Sequence, residues 1–86
     1  MSSTQGERIV ANCEIIWGKD TMYDLEEESN DEDTCLVFVR RDYGTRFGAP
    51  LVMSMKNTSA KAWDDMDRML ALRAREVLSA QPTARQ

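Results

Sequence analysis

Three observations predict a small α+β domain, a three-stranded antiparallel meander followed by one long C-terminal helix packed on one face of the sheet (βββα). Two stretches alternate apolar and polar residues with the period of two that a half-buried strand requires. A third alternates in the same way but carries Gly48 and Pro50. The run 60–79 then contains neither glycine nor proline and repeats its apolar residues every three or four positions, which is the helical period. A chain of 86 residues, 42% apolar and 30% charged, has enough apolar surface for one core and too little length for two. The expected domain is 8–80, with 1–7 and 81–86 as flexible termini.

The first strand is expected at 8–17, where Ile9, Ala11, Cys13, Ile15 and Trp17 alternate with Val10, Asn12, Glu14 and Ile16. Gly18, Lys19 and Asp20 end it by turn chemistry. Between residues 24 and 33 lie seven of the fifteen acids, a block that repels itself and is expected to form an acidic loop. Without that decade the eleven basic residues face eight acids, so the remaining body carries a net +3 inside a chain of net −4. The charge therefore separates into two regions.

The second strand is expected at 34–41. Cys35, Val37 and Val39 fall on one face and Leu36 and Phe38 on the other, so both faces call for cover and the strand is central. Asp42, Tyr43, Gly44 and Thr45 form a tight connection to a third strand in which Leu51, Met53 and Met55 alternate with Val52, Ser54 and Lys56. Pro50 cannot donate to a ladder and places this strand at an edge or at a bulge. Asn57, Thr58 and Ser59 offer N-cap oxygens to the helix, whose apolar stripe is Trp63, Met66, Leu70, Ala74 and Val77. Acids in its first half and arginines in its second complement the helix dipole, and Asp64 is spaced to pair with Arg68.

The chemistry is notable for what is missing. There is no histidine, which removes the commonest general base and transition-metal ligand. Two cysteines 22 residues apart make no four-ligand zinc site, the four glycines form no phosphate loop, and the acidic block lacks the spacing and glycine of a calcium loop. No catalytic residue, metal or cofactor is expected, and the sequence reads as a non-catalytic binding protein. Cys13 and Cys35 pack as reduced core thiols or form one bridge. The beginning of the chain lacks the basic and apolar regions of a secretory signal, and no apolar run spans a bilayer, so an intracellular protein, cytoplasmic or nuclear and away from membranes, is expected.

Two surfaces are candidates for binding. The sheet face away from the helix is too apolar to stay wet, and Val10, Ile16, Trp17, Leu36, Phe38 and Val52 are its candidate interface residues, for another protein or for a second copy in a homodimer. A small adaptor or inhibitor acting through that face, a sheet edge or the acidic loop is the leading reading. The alternative is an arginine-rich hairpin, Arg40, Arg41, Tyr43 and Arg46, that binds nucleic acid or phosphate. Methionines 53, 55, 66 and 69 read as adaptable core filling, or else as a methionine-lined groove.

Two resemblances bear on these readings. The run Trp63-Asp64-Asp65-Met66-Asp67-Arg68-Met69-Leu70-Ala71-Leu72-Arg73-Ala74 looks like the C-terminal helix of short uncharacterised proteins from filamentous fungi, over the last third of the chain. That likeness implies no activity. Three strands followed by a helix beginning Ser59-Ala60-Lys61-Ala62 resemble the second half of a double-stranded RNA-binding domain. The chain departs from that family in its expected lack of a first helix and in the reduction of the lysine cluster to Lys61. Asp64, Asp65 and Asp67 would oppose a phosphate backbone there.

Overall fold

The computed structural model describes residues 4–30, 33–44 and 47–80. Its elements are α1 (Gln5–Trp17), β1 (Met22–Ser29), β2 (Cys35–Asp42), β3 (Phe47–Lys56) and α2 (Ser59–Ala80). The α+β class, the antiparallel meander β1-β2-β3 and the long C-terminal helix are as expected. Two assignments are corrected.

The segment 8–17 is helical, not a strand. Ile9, Cys13 and Ile16 lie four and three positions apart and form one helical stripe, with Ile9 and Cys13 fully buried; Ile9 and Cys13 also share the parity of a strand, so this pair satisfies both periods, whereas Ile16 joins them only on a helix. What decides between them is the start. The Thr4 hydroxyl accepts from the Glu7 amide at 3.1 Å and the Glu7 carboxylate accepts from the Thr4 amide at 3.0 Å, a reciprocal capping box. Residues 4–7 are therefore the cap and first turn of α1 and not part of a frayed terminus; residues 1–3 and 81–86 lie outside the described residues. Gly18, with φ of +108°, ends the helix and donates to the Glu14 carbonyl.

The acidic block is largely a strand. In β1 the acids are spread by the period of two: Asp24, Glu26 and Glu28 point to one face, and Tyr23, Leu25 and Glu27 to the other. An edge strand tolerates such charge because its outer side meets water. Glu27, on the helix-covered face, accepts from the Trp63 indole nitrogen at 2.7 Å and the Ser59 hydroxyl at 2.9 Å, which ties β1 to the start of α2. Asp31 and Glu32 lie outside the described residues.

The register follows from β2. Val37 pairs with Glu27 and Ser54, and Val39 with Leu25 and Val52. The ladder between β2 and β3 shifts on either side of the Arg40↔Pro50 pair, so Pro50 sits at both an edge and an irregularity, as its missing N–H requires. Both helices cover a single face of this sheet. The core between them joins Ile9 and Cys13 of α1, Val37 and Val39 of β2, and Ala62, Met66 and Leu70 of α2. Each large side chain there contributes about 1.5–3 kcal/mol by leaving water. Within this layer the Ser54 hydroxyl, nearly buried, donates to Asp65 at 2.7 Å, and Asp65 also accepts from Arg68. The anticipated Asp64–Arg68 pair does not form; Asp64 instead accepts from Gln5 of α1. Arg8 to Asp67, at 2.8 Å, is a second tie between the helices. Cys13 is buried and Cys35 half-buried, and the two are not bonded to each other.

Candidate interaction surface

Because both helices lie on one side, the opposite face of the sheet has no covering layer among the described residues. Its composition follows from the pairing. Leu36, Phe38 and Arg40 of β2 form the central row; Glu28, Glu26 and Asp24 of β1 stand opposite them on one flank, and Met55, Met53 and Pro50 of β3 on the other. Cross-strand partners share a face. The surface is thus three parallel stripes: acidic, apolar-aromatic and methionine.

The three stripes differ in exposure. Met53 and Met55 are 55% and 65% exposed, whereas Phe38 in the centre is only 3% exposed. Neither α1 nor α2 covers Phe38. Its cover comes from its neighbours, and the Arg40 guanidinium lies 4.9 Å from the ring centroid, a cation–π contact whose stem also shields the ring. The same guanidinium group is held toward Glu26 at 3.6 Å. In the acidic stripe the Glu26 carboxyl is raised above its ordinary pKa, first by its hydrogen bond with Asp24 and then by desolvation, with Asp24 and Glu28 adding repulsion against the pull of Arg40. At one end of the face Glu28, Ser29, Asn30, Thr34, Leu36 and Met55 surround a hollow of about 140 Å³.

The six interface candidates separate across the fold. Leu36 and Phe38 are on the open face. Val52 pairs with Val39 on the covered face and packs on the core. Val10, Ile16 and Trp17 were expected on a strand and are on α1: Ile16 and Trp17 pack against the core, and Val10 lines a cleft between α1 and β1. Met53 and Met55, read as core filling, are instead the most exposed apolar groups of the face, while Met66 is buried in the core and Met69 packs against it. The signal for them was their shared parity with Leu36 and Phe38 once β2 and β3 are paired.

Among the described residues the arginine-rich hairpin brings Arg41 to Tyr43 but separates both from Arg40. Arg40 and Arg41 are successive residues of β2 and point to opposite faces. Arg40 faces Phe38 and Glu26, whereas Arg41 donates to the Trp17 carbonyl at 2.9 Å and is stabilised as a cation by hydrogen bonds with Tyr43 and Tyr23. Gly44 takes the positive φ of +86° expected of the turn, and its amide donates to the Asp42 carboxylate at 2.8 Å. Arg46 lies outside the described residues.

The Cys13 thiol is pushed up to about 11 by burial, which keeps it protonated and unreactive. Among the described residues no group of three or more cysteine, aspartate or glutamate side chains is placed to hold a metal, and no helix is long and apolar enough to cross a membrane. At the start of α2, Lys56, Lys61 and Arg68 share a cleft of about 360 Å³ with Asp64 and Asp65, so its charges are mixed.

Comparison with protein-family models, with curated proteins and with solved structures finds no match to this chain. The order α1-β1-β2-β3-α2 nevertheless corrects one departure from the double-stranded RNA-binding domain, since the first helix is present. The other departure stands, with Lys61 followed by Asp64, Asp65 and Asp67.

Proposed function

We propose that this protein is a non-catalytic protein-interaction module whose docking surface is the open sheet face. One observation carries the reading: two helices cover one face, while Met53 and Met55 stand exposed beside Leu36 and Phe38 on the other. Leaving such side chains in water forgoes the stabilisation their burial would bring, and contiguous apolar surface of this kind marks interfaces. Methionine suits an adaptable contact, and the adjoining acidic stripe favours a partner that brings cations to its rim. A second copy of the chain is one such partner.

The test is capture from the native source with wild type, with Met53→Glu/Met55→Glu, and with Leu72→Glu/Leu78→Glu on exposed positions of α2. Partners lost only with the first pair support the reading. Partners retained by it contradict the reading. Sedimentation of the same three proteins at micromolar concentration shows whether the partner is a second copy.

The element order favours one other reading, a double-stranded RNA binder using the start of α2. Asp64, Asp65 and Asp67 and the net charge of −4 weigh against it. Salt separates the two, because phosphate contacts weaken steeply between about 50 and 200 mM salt while an apolar interface holds.

A further inference from the structure

β1 is an edge strand, and no strand among the described residues pairs with its outer side. On the covered face α1 packs chiefly along α2 and touches β1 only lightly, which leaves a cleft of about 530 Å³ at that edge. It is lined by the apolar residues Val10, Ala11, Tyr23 and Leu25 together with Glu7 and Glu14. The other side of the same strand carries Asp24, Glu26 and Glu28 at a spacing of two. An edge strand presents alternate N–H and C=O groups outward, and a strand added beside it would send alternate side chains to the two faces.

We propose that the β1 edge accepts an extended peptide of alternating basic and apolar residues as a fourth strand, its apolar side chains entering the α1–β1 cleft and its basic side chains meeting the Asp24, Glu26 and Glu28 row. Charge complementarity selects the occupant: a cleft lined by apolar and acidic residues lies on one side of the edge, and three carboxylates with one arginine partner among the described residues lie on the other. The Glu26 carboxyl is raised first by its hydrogen bond with Asp24 and then by desolvation, and an incoming cation would relieve the repulsion that Asp24 and Glu28 add. The register of β1 supplies the period, so the order of residues in the peptide matters as well as its charge. This site shares the acidic row with the open face, while its own parts, the β1 edge and the α1–β1 cleft, lie away from the methionine stripe on β3.

The experiment titrates the full chain with a fluorescent eight-residue peptide of alternating lysine and valine, matched to the eight residues of β1, and with a peptide of the same composition in separate lysine and valine blocks. Fluorescence anisotropy reads affinity, and amide exchange reads protection along 22–29. Saturable binding of the alternating peptide, with β1 protected, is expected, and the blocked peptide should bind at least about tenfold more weakly. Asp24→Lys/Glu28→Lys and, separately, Ala11→Lys should each weaken binding about tenfold or more. All these positions are solvent-facing or half-buried, and thermal melts confirm that the variants fold. Met53→Glu/Met55→Glu should leave this affinity within about twofold, so its failure is distinct from failure of the open-face reading. Absence of saturable binding up to millimolar peptide, equal binding of the blocked peptide, or indifference to the edge and cleft substitutions overturns the proposal.

Discussion

The two faces of the sheet are built from the same three strands and differ in what completes them. On the covered face Val37 and Val39 meet Met66, Leu70 and Ile9, and the polar groups present are locked: Ser54 to Asp65, and Glu27 to Trp63 and Ser59. On the open face Phe38 relies on Arg40 and its strand neighbours, and among the described residues no layer lies above Met53 and Met55. The packed core therefore lies on one side of the sheet, and on the proposed reading the exposed methionines of the other side are available to a partner.

Substitutions can break that contrast. The largest effect is expected from Met66→Ala, which empties a fully buried site and should cost about 2–5 kcal/mol in urea unfolding. Ser54→Ala should cost less, about 1–3 kcal/mol, by leaving the Asp65 carboxylate without its buried donor. A loss for Met53→Ala equal to that of Met66→Ala would abolish the distinction between the faces.

The carboxylates sharpen the comparison because their linkage to pH has opposite signs. Hydrogen bonding from Ser54 holds the Asp65 carboxyl below the ordinary aspartate range, and bonds from Trp63 and Ser59 do the same for Glu27. Their stabilising contribution is present above the unfolded pKa and lost as pH falls through the lowered folded value. Glu26, on the open face, is raised, so its contribution is present below the unfolded pKa and lost as pH rises through the folded one. Unfolding midpoints between about pH 3 and pH 7 should therefore show Asp65→Asn falling increasingly behind wild type toward neutrality, and Glu26→Gln gaining on it. The smallest effect is that of Met53→Glu/Met55→Glu on stability, within about 0.5 kcal/mol per site by denaturant unfolding.

How much of this was legible in the sequence depends on which residues carry a unique period. The α2 stripe Met66, Leu70 and Ala74 fits only a helix, and the central position of β2 follows from its two apolar faces. The segment 8–17 was ambiguous, since Ile9, Cys13 and Ile15 or Ile16 satisfy either period and the Thr4–Glu7 capping box was the deciding signal. The acidic residues concealed β1 because charge block and edge strand share a composition and differ only in parity. Of the open face, Leu36 and Phe38 were readable from β2 alone. Met53, Met55 and the row Asp24, Glu26 and Glu28 depend on strand pairing, which is a property of the fold and not of any one segment.

Site-specific photocrosslinking distinguishes a docking face from an idle one. A photoreactive side chain at position 53, on the open face, is compared in the native source with one at position 78, equally solvent-facing but on α2. A docking face around Met53 predicts discrete adducts from position 53 and none from position 78, with the position-53 adducts suppressed by Met55→Glu. Adducts from position 78 alone, or equal adducts from both, would contradict it.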